Sequence, residues 1–469
     1  MGRHGHLPSL VVTDPDYRGI SLWFDTLPEP VVPRAPLEGD AEFDVVIAGA
    51  GFSGLWTAYY LKRLRPELRI ALLEAEVAGF GASGRNGGWC IGLLAGVEGL
   101  LGRPARRAEG LALQRAMFAT VDEVGRVAAA EGIDCHFRKG GSVRVAVTRA
   151  QETELRERTH AFGSLFTPDD FRWLEPDECN ARVRLPGALG GMYTPHCAAL
   201  QPARLARGLA TCVERLGVRI FERSRVTHLE PGRVRTERGE IRAGVIVRAT
   251  EAYTAELRGQ HRALLPMHSW MLATEPLPDA AWKEIGLERG ETFGDGRRVT
   301  TYGQRTADGR LAFGGLATYR YGSRIQQHFP ASHPNFRELE RIARELLPAL
   351  HGVRITHRWG GALGIPRDWR PRVGIDRERG LAWIGGYVGE GVAASNLAGR
   401  TLSELIAGAE SERTRLAFVA PPARDWEPEP LRYLAVRSVV GLIAAEDRAS
   451  ARGRPSTWRD RLVGRIAGR

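Results

Sequence analysis

The chain has 469 residues and a formal net charge of +11, and all but three of its 66 lysines and arginines are arginine. With 43% hydrophobic residues it is long and apolar enough for two or three domains around a large core. No apolar run approaches the ~20 residues of a membrane span, and the first residues lack the basic-then-apolar pattern of a signal peptide, so a cytoplasmic location is expected. The five cysteines (Cys90, Cys135, Cys179, Cys197 and Cys212) include no CxxC pair, which argues against a disulfide framework and against zinc. The arginines are scattered rather than interleaved with aromatics. They read as solvated faces, not as a nucleic-acid surface.

Residues 1–42 are proline-rich and polar and read as a surface arm. The segment from Phe43 to Glu74 then runs FDVVIAGAGFSGLWTAYYLKRLRPELRIALLE. Val45–Ala48 reads as a strand, Gly49-Ala50-Gly51-Phe52-Ser53-Gly54 as a glycine turn and the amphipathic run to Leu64 as a helix. Ile70–Leu73 reads as a second strand, ending on Glu74. That order is the one a dinucleotide site requires. Gly49 permits the tight turn, Gly51 clears the approach of a pyrophosphate, and Gly54 lets the helix sit on the sheet. Glu74 lies where a carboxylate meets ribose hydroxyls, and the helix N-terminus offers its N–H groups to phosphate.

Gly79–Gly88, with Ala82-Ser83-Gly84-Arg85-Asn86-Gly87-Gly88 inside it, is too glycine-dense for a regular element. Ala105–Glu131 carries a helical period, and Gly141–Thr148 alternates like a strand. Pro202–Leu216 reads as a helix, Val218–Glu222 and Arg225–Leu229 as strands, and Val234–Thr250 as a hairpin into a buried strand. Strand-like segments between Leu264 and Leu316, with turns at Asp295-Gly296 and Asp308-Gly309, indicate an antiparallel sheet. A helix over Phe336–Leu350 follows. A second strand–glycine–helix unit spans Leu381–Gly408, where Tyr387-Val388-Gly389-Glu390-Gly391 leads into a helix over Val392–Ala407. A last helix is expected near Leu431–Arg448, and the tail beyond it reads as disordered. The fold class is α/β. A discontinuous dinucleotide-binding domain (43–97, 199–262 and 355–409) joins an antiparallel-sheet substrate domain (98–198 and 263–354), with a C-terminal extension over 410–469.

In this order the motifs VVIAGAGFSGLWTAYYL…LLE, GASGRNGG, LQPARLARGLA, VIVRATEAYT, DGRLAFGG, RWGGALGIPRDWRPRVG and IGGYVGEGVAASNLAGRTLSELIAG identify a resemblance. The chain is similar to the D-amino-acid oxidase family of FAD-dependent oxidoreductases, nearest the γ-glutamylputrescine oxidase-like branch. The resemblance implies a Rossmann-like FAD-binding domain of glutathione-reductase type and non-covalent FAD. It places Gly49, Gly51, Phe52, Ser53, Gly54, Glu74 and Ala75 on the ADP half. Ser83, Arg85, Asn86, Gly87 and Gly88 would line the pyrophosphate and flavin, Val226 the adenine, and Thr250 the pyrophosphate. Gly361, Gly389, Glu390, Gly391 and Val392 would approach the isoalloxazine ring. Gly389 and Gly391 also read as a plain strand-to-helix turn, and Glu390 as a solvent-facing or arginine-paired carboxylate.

The implied reaction is oxidation of an amine carbon, with hydride passing to flavin N5 and the imine hydrolysing. O2 or an electron carrier would be the acceptor, and the protein a monomer or small homo-oligomer. Members acting on simple amino acids hold the substrate carboxylate with an arginine where this chain has Leu363. That favours a primary or secondary amine such as a γ-glutamyl-polyamine, an aminophosphonate or a modified amino acid, unless Arg367, Arg372 or another arginine takes over. Candidate catalytic residues are His268, Trp270, Tyr302, Trp359 and Glu390, with Met271 beside them; core packing is the alternative role for the aromatic ones. A deaminating D-amino-acid dehydrogenase, an RNA-acting flavoprotein of the same fold and a non-catalytic FAD scaffold are the other readings.

Overall fold

The computed structural model describes residues 16–298 and 300–451; the expected disordered tail lies mostly outside them. Two eight-stranded sheets carry the chain. In the first, Ala41–Ala48 pairs in parallel with Ile70–Leu73 on one side and Glu240–Arg248 on the other. Arg219–Phe221 extends it beyond Ile70–Leu73, and Leu381–Gly385 beyond Glu240–Arg248, both in parallel. Val46, Ile47, Ala71 and Leu72 are fully buried, as strands covered on both faces must be. The helices Phe52–Leu64 and Gly391–Ala407 pack against one another beside this sheet. Gly399 makes their approach possible, because a Cβ there would lie 2.7 Å from Trp56 Cβ and 2.9 Å from the Thr57 nitrogen.

The second sheet runs in the order Ile355–Ile365, Leu265–Thr274, Leu311–Tyr319, Thr301–Arg305, Thr292–Asp295, Ser142–Val145, Gly191–Thr194 and Arg172–Leu174. It is antiparallel except where Thr292–Asp295 meets Ser142–Val145. The strand Ile355–Ile365, expected in the dinucleotide unit, belongs here instead, since ten of its residues pair with Leu265–Thr274. Helices not expected from the sequence cover Arg149–Gly163 and Asp279–Ile285.

The described part of the arm also departs from expectation. Leu22, Trp23 and Phe24 are buried to 2% exposure or less. Ser21 Oγ donates to the Gly84 carbonyl at 2.7 Å, and the Trp23 indole N–H to the Asn86 carbonyl at 2.7 Å. The segment therefore clamps the Gly79–Gly88 loop from outside rather than lying on the surface. All five cysteines are buried and free. Among the described residues no helix is long and apolar enough to cross a membrane.

Candidate active site

A cavity of about 1880 Å3 takes its walls from both sheets. It exceeds the ~300–1,000 Å3 of an ordinary ligand pocket, leaving room for a dinucleotide and a substrate together. Its wall includes Glu74, Val226 and Arg258, then Gly51, Ser83 and Thr250, and also Met271, Tyr302, Gly361 and Glu390.

The first glycine turn is built for close approach. Gly49 has φ +105°, and a Cβ on it would sit 2.6 Å from the Ala249 carbonyl oxygen. A Cβ on Gly54 would lie 2.0 Å from the Gly49 carbonyl oxygen, so this glycine serves helix–strand packing and does not itself line the cavity. Glu74 accepts from the Ala50 N–H at 2.9 Å and the Glu76 N–H at 3.1 Å, and burial pushes its carboxyl up to about 7. Its remaining acceptor capacity suits the donors of a ribose. Ser83 Oγ accepts from the Phe52 N–H at 2.8 Å, joining the second glycine loop to the helix start. These features fit the ADP half of FAD: a backbone cradle too tight for side chains, a helix N-terminus and a buried carboxylate in sequence.

The Gly79–Gly88 loop is held by its own side chains. Arg85 is 4% exposed; it donates to the carbonyls of Phe80, Gln327 and Gly360 and lies over the Phe80 ring. Asn86 bonds back to Ala82, Ser83 and Gly88 of its own loop. Gly88 faces Gln304 and Leu200 rather than the cavity. Phe52, Ser53, Ala75, Gly87, Thr250, Gly389, Gly391 and Val392 are on the wall.

The turn before Gly391–Ala407 is dense in left-handed backbone, with φ +77° at Gly386, +58° at Val388 and +100° at Gly389. Val388 is β-branched, for which this region costs on the order of 1–3 kcal/mol. A residue the sequence did not single out, Glu251, holds the turn. Its carboxylate accepts from the Gly386, Tyr387 and Gly364 N–H groups at 2.8, 3.2 and 2.6 Å. It thereby ties the Leu381–Gly385 unit to the strand carrying Gly361 and Leu363. Tyr387 and Ser53 hydroxyls meet at 2.8 Å, joining the two glycine units directly.

Of the candidate catalytic side chains, Tyr302 and Glu390 line the cavity, whereas His268, Trp270 and Trp359 do not. The pleat explains the first two: Met267, Ser269 and Met271 point to the cavity, so His268 and Trp270 point away. Trp270 stacks on His333 and packs on Phe329 and Phe336. His268 accepts the Gln326 N–H at 2.8 Å, and burial brings its imidazole down to about 4, so it is neutral with its acceptor nitrogen engaged. Trp359 donates to the Arg85 carbonyl at 2.8 Å and packs edge-on to Trp23. Tyr302 packs edge-on to Trp89, 5.6 Å between centroids, and its hydroxyl lies 3.3 Å from Ser269 Oγ. A Cβ on Gly87 would lie 2.4 Å from its ring.

Glu390 stands at the N-cap position of Gly391–Ala407 without a side-chain capping bond; its carboxylate accepts a backbone hydrogen bond from Ala95, and its Oε2 is buried without a hydrogen-bond partner among the described residues. Burial pushes the carboxyl up to about 7; Arg158 and Arg144 draw it down, and Glu98 raises it. A group titrating near neutrality in a cavity wall is suited to proton exchange. Arg144, Arg158 and Glu98, none singled out in the sequence, share that wall.

A fold that joins two glycine cradles around one long cavity defines a dinucleotide-dependent flavoenzyme of two-sheet type. The chain belongs to the DAO family of FAD-dependent oxidoreductases, whose model matches residues 44–405. It is 30% identical over 426 residues to a probable oxidoreductase OrdL of Rhizobium meliloti, covering 86% of this chain and 92% of that one. It is 27% identical over 403 residues to the gamma-glutamylputrescine oxidoreductase of Escherichia coli, covering 83% and 87%. In fold it is similar to glycine oxidase from Geobacillus kaustophilus, with TM-score 0.68, 21% identity and coverage of 82% and 99%. The protein is an FAD-dependent oxidoreductase.

Proposed function

We propose that the chain oxidises the carbon–nitrogen bond of a primary or secondary amine, with a γ-glutamyl-polyamine, aminophosphonate or modified amino acid as the substrate class. FAD, when bound, supplies the two-electron acceptor for the C–H bond beside nitrogen, and the resulting imine hydrolyses to a carbonyl compound plus amine or ammonia. The observation that carries this reading is Glu390, on the wall of the cavity that also takes in the Gly49–Glu74 cradle, with one buried carboxylate oxygen lacking a hydrogen-bond partner among the described residues. An alkylamine is a cation at neutral pH, and oxidation at its α-carbon needs the neutral form. Glu390 attracts the cation and holds the proton it gives up. Tyr302, Trp89 and Met271 supply a largely apolar enclosure that favours the neutral amine. Gly361 and Gly389 keep side chains out of the space beside the reacting carbon.

The relatives named gamma-glutamylputrescine oxidoreductase, sarcosine oxidase subunit beta and glycine oxidase support an amine substrate. Leu363 on the cavity wall disfavours the D-amino-acid reading, because a leucine offers no donor to a carboxylate. Anaerobic mixing with a panel of polyamine conjugates, aminophosphonates and D-amino acids tests this. At least one non-amino-acid amine is expected to bleach the flavin absorbance, and air admitted afterwards separates oxidase from dehydrogenase. Bleaching by D-amino acids alone, or by nothing in the panel, would overturn the proposal. FAD is held without a covalent bond in this reading, so acid precipitation should leave the yellow colour in the supernatant.

A further inference from the structure

We propose that Arg144 is an anion-holding residue of the active-site cavity, so that the amine oxidised here carries a negatively charged group, carboxylate or phosphonate, distant from its reacting nitrogen. Arg144 lies in the strand Ser142–Val145, whose Val143 and Val145 are fully buried in the core of the second sheet. The pleat therefore turns Arg144 to the opposite face, where it lines the cavity. Among the described residues its guanidinium has no hydrogen bond or ion pair.

Among the described residues Arg370, half-buried on the same wall, is likewise without a hydrogen bond or ion pair, while the remaining arginines near this space are engaged or solvent-exposed. Arg85 is bound by three carbonyls, and Arg158 donates to Glu98. Arg367, a possible replacement for the missing clamp at Leu363, pairs with Glu427 at 2.9 Å, and Arg372, the other, pairs with Asp368. Arg103, on the cavity wall, is solvent-exposed. Arg144 is half-buried; a half-buried, unpaired guanidinium leaves donors for a ligand to complete, and its planar fork matches a two-oxygen anion. Burial brings Arg144 down to about 10.

Arg144 and Glu390 lie within electrostatic reach of one another, carry side chains of opposite charge and both line the cavity. A ligand that is cationic at one end and anionic at the other satisfies both. The anion site thus stands where Leu363 cannot provide one, on a different strand of the same sheet. The claim about substrate rests on the amine-oxidation reading; the claim that Arg144 binds an anion does not.

The test uses the full chain loaded with FAD, titrated at constant ionic strength with sodium acetate, methylphosphonate and the neutral acetamide. Both the flavin difference spectrum and the unfolding temperature are followed. Both anions should perturb the flavin spectrum saturably and raise the unfolding temperature, and acetamide should do neither. Tighter binding of acetate assigns a carboxylate-bearing substrate, and tighter binding of methylphosphonate a phosphonate. R144M should weaken both anions at least tenfold with flavin content unchanged, whereas R370M, altering another arginine of the wall, should not. Should R144M fail to fold, R144K carries the test, with about tenfold weakening because an ammonium lacks the fork. Absence of anion binding by the native protein, equal effects of acetamide, or native affinity in R144M or R144K would overturn the proposal. So would a loss that follows R370M instead. Anion binding at Arg144 with no amine able to bleach the flavin would sink the amine reading and leave this site standing.

Discussion

Glu390 and Glu251 are two carboxylates on neighbouring stretches of backbone with opposite assignments. Glu390 has an oxygen with no partner and a carboxyl raised to about 7 by burial. A carboxylate that takes a proton from the bound ammonium must be ionised, so kcat/KM should climb about tenfold per pH unit below ~7 and then level off. In Glu390→Gln the plateau should vanish. The rise should then follow the substrate's own ionisation, near 10 for an alkylamine. A Glu390→Gln profile that still levels near pH 7 would remove the residue from proton transfer. Glu251 is also raised by burial, with the backbone N–H groups of Tyr387, Gly364, Gly386 and Ala252 drawing it partly back down. Glu251→Ala strands those donors at about 1–3 kcal/mol each. The expected result is a loss of at least about 3 kcal/mol in unfolding free energy and a low FAD content on purification. Native FAD content would show that the turn holds its shape without it.

At the scale of elements, what the sequence revealed depends on how local the signal is. The run from Val45 to Glu74 is readable because glycine positions and hydrophobic period lie within one short stretch, and the structure places its strands and helix within a few residues of expectation. Arg144 and Glu251 are not readable that way. Their partners, or lack of them, are set by segments more than a hundred residues distant. The strand Leu265–Thr274 was legible as a strand, but both its faces are apolar. Nothing local tells that Met267 and Met271 meet the cavity while Trp270 meets the core.

The C-terminal helix Leu431–Ala451 lies beyond the matched family segment, yet it presents Ala435, Val436, Val439, Val440 and Ile443 to the cavity. Val436 also packs with Leu265, Met267, Ile365 and Trp426. Ending the chain after Pro430 should leave the adenine end of the cradle intact and the protein yellow. It should also raise KM at least tenfold and make the bound flavin more readily quenched by iodide. Unchanged quenching would show that the helix does not roof the ring.

For the whole molecule, stability and cofactor affinity are coupled because residues of both sheets converge on one cavity. Gln304 of the second sheet donates to the Gly87 carbonyl at 2.7 Å, Glu251 bridges the two sheets, and the arm locks the loop between them. FAD at a hundredfold excess over its Kd adds about 2.7 kcal/mol to the folded state. Two glycines of the same turn separate this linkage from intrinsic stability. A Cβ on Gly54 would meet the Gly49 carbonyl at 2.0 Å and Leu72 at 3.1 Å, so the helix Phe52–Leu64 must shift off its sheet. Gly54→Ala should lower the unfolding temperature of the apoprotein, by the ~1–3 kcal/mol typical of overpacking or more. A Cβ on Gly51 meets the Ser83 hydroxyl at 2.9 Å, and that hydroxyl can rotate away at the cost of its bond from the Phe52 N–H. Gly51→Ala should therefore leave the apoprotein within a degree or two of native. The methyl still stands where the pyrophosphate approaches the backbone, so the rise in unfolding temperature on adding FAD should collapse. If both substitutions lower the apoprotein equally and leave the FAD-induced rise intact, the turn is a packing device and the diphosphate binds elsewhere along the cavity.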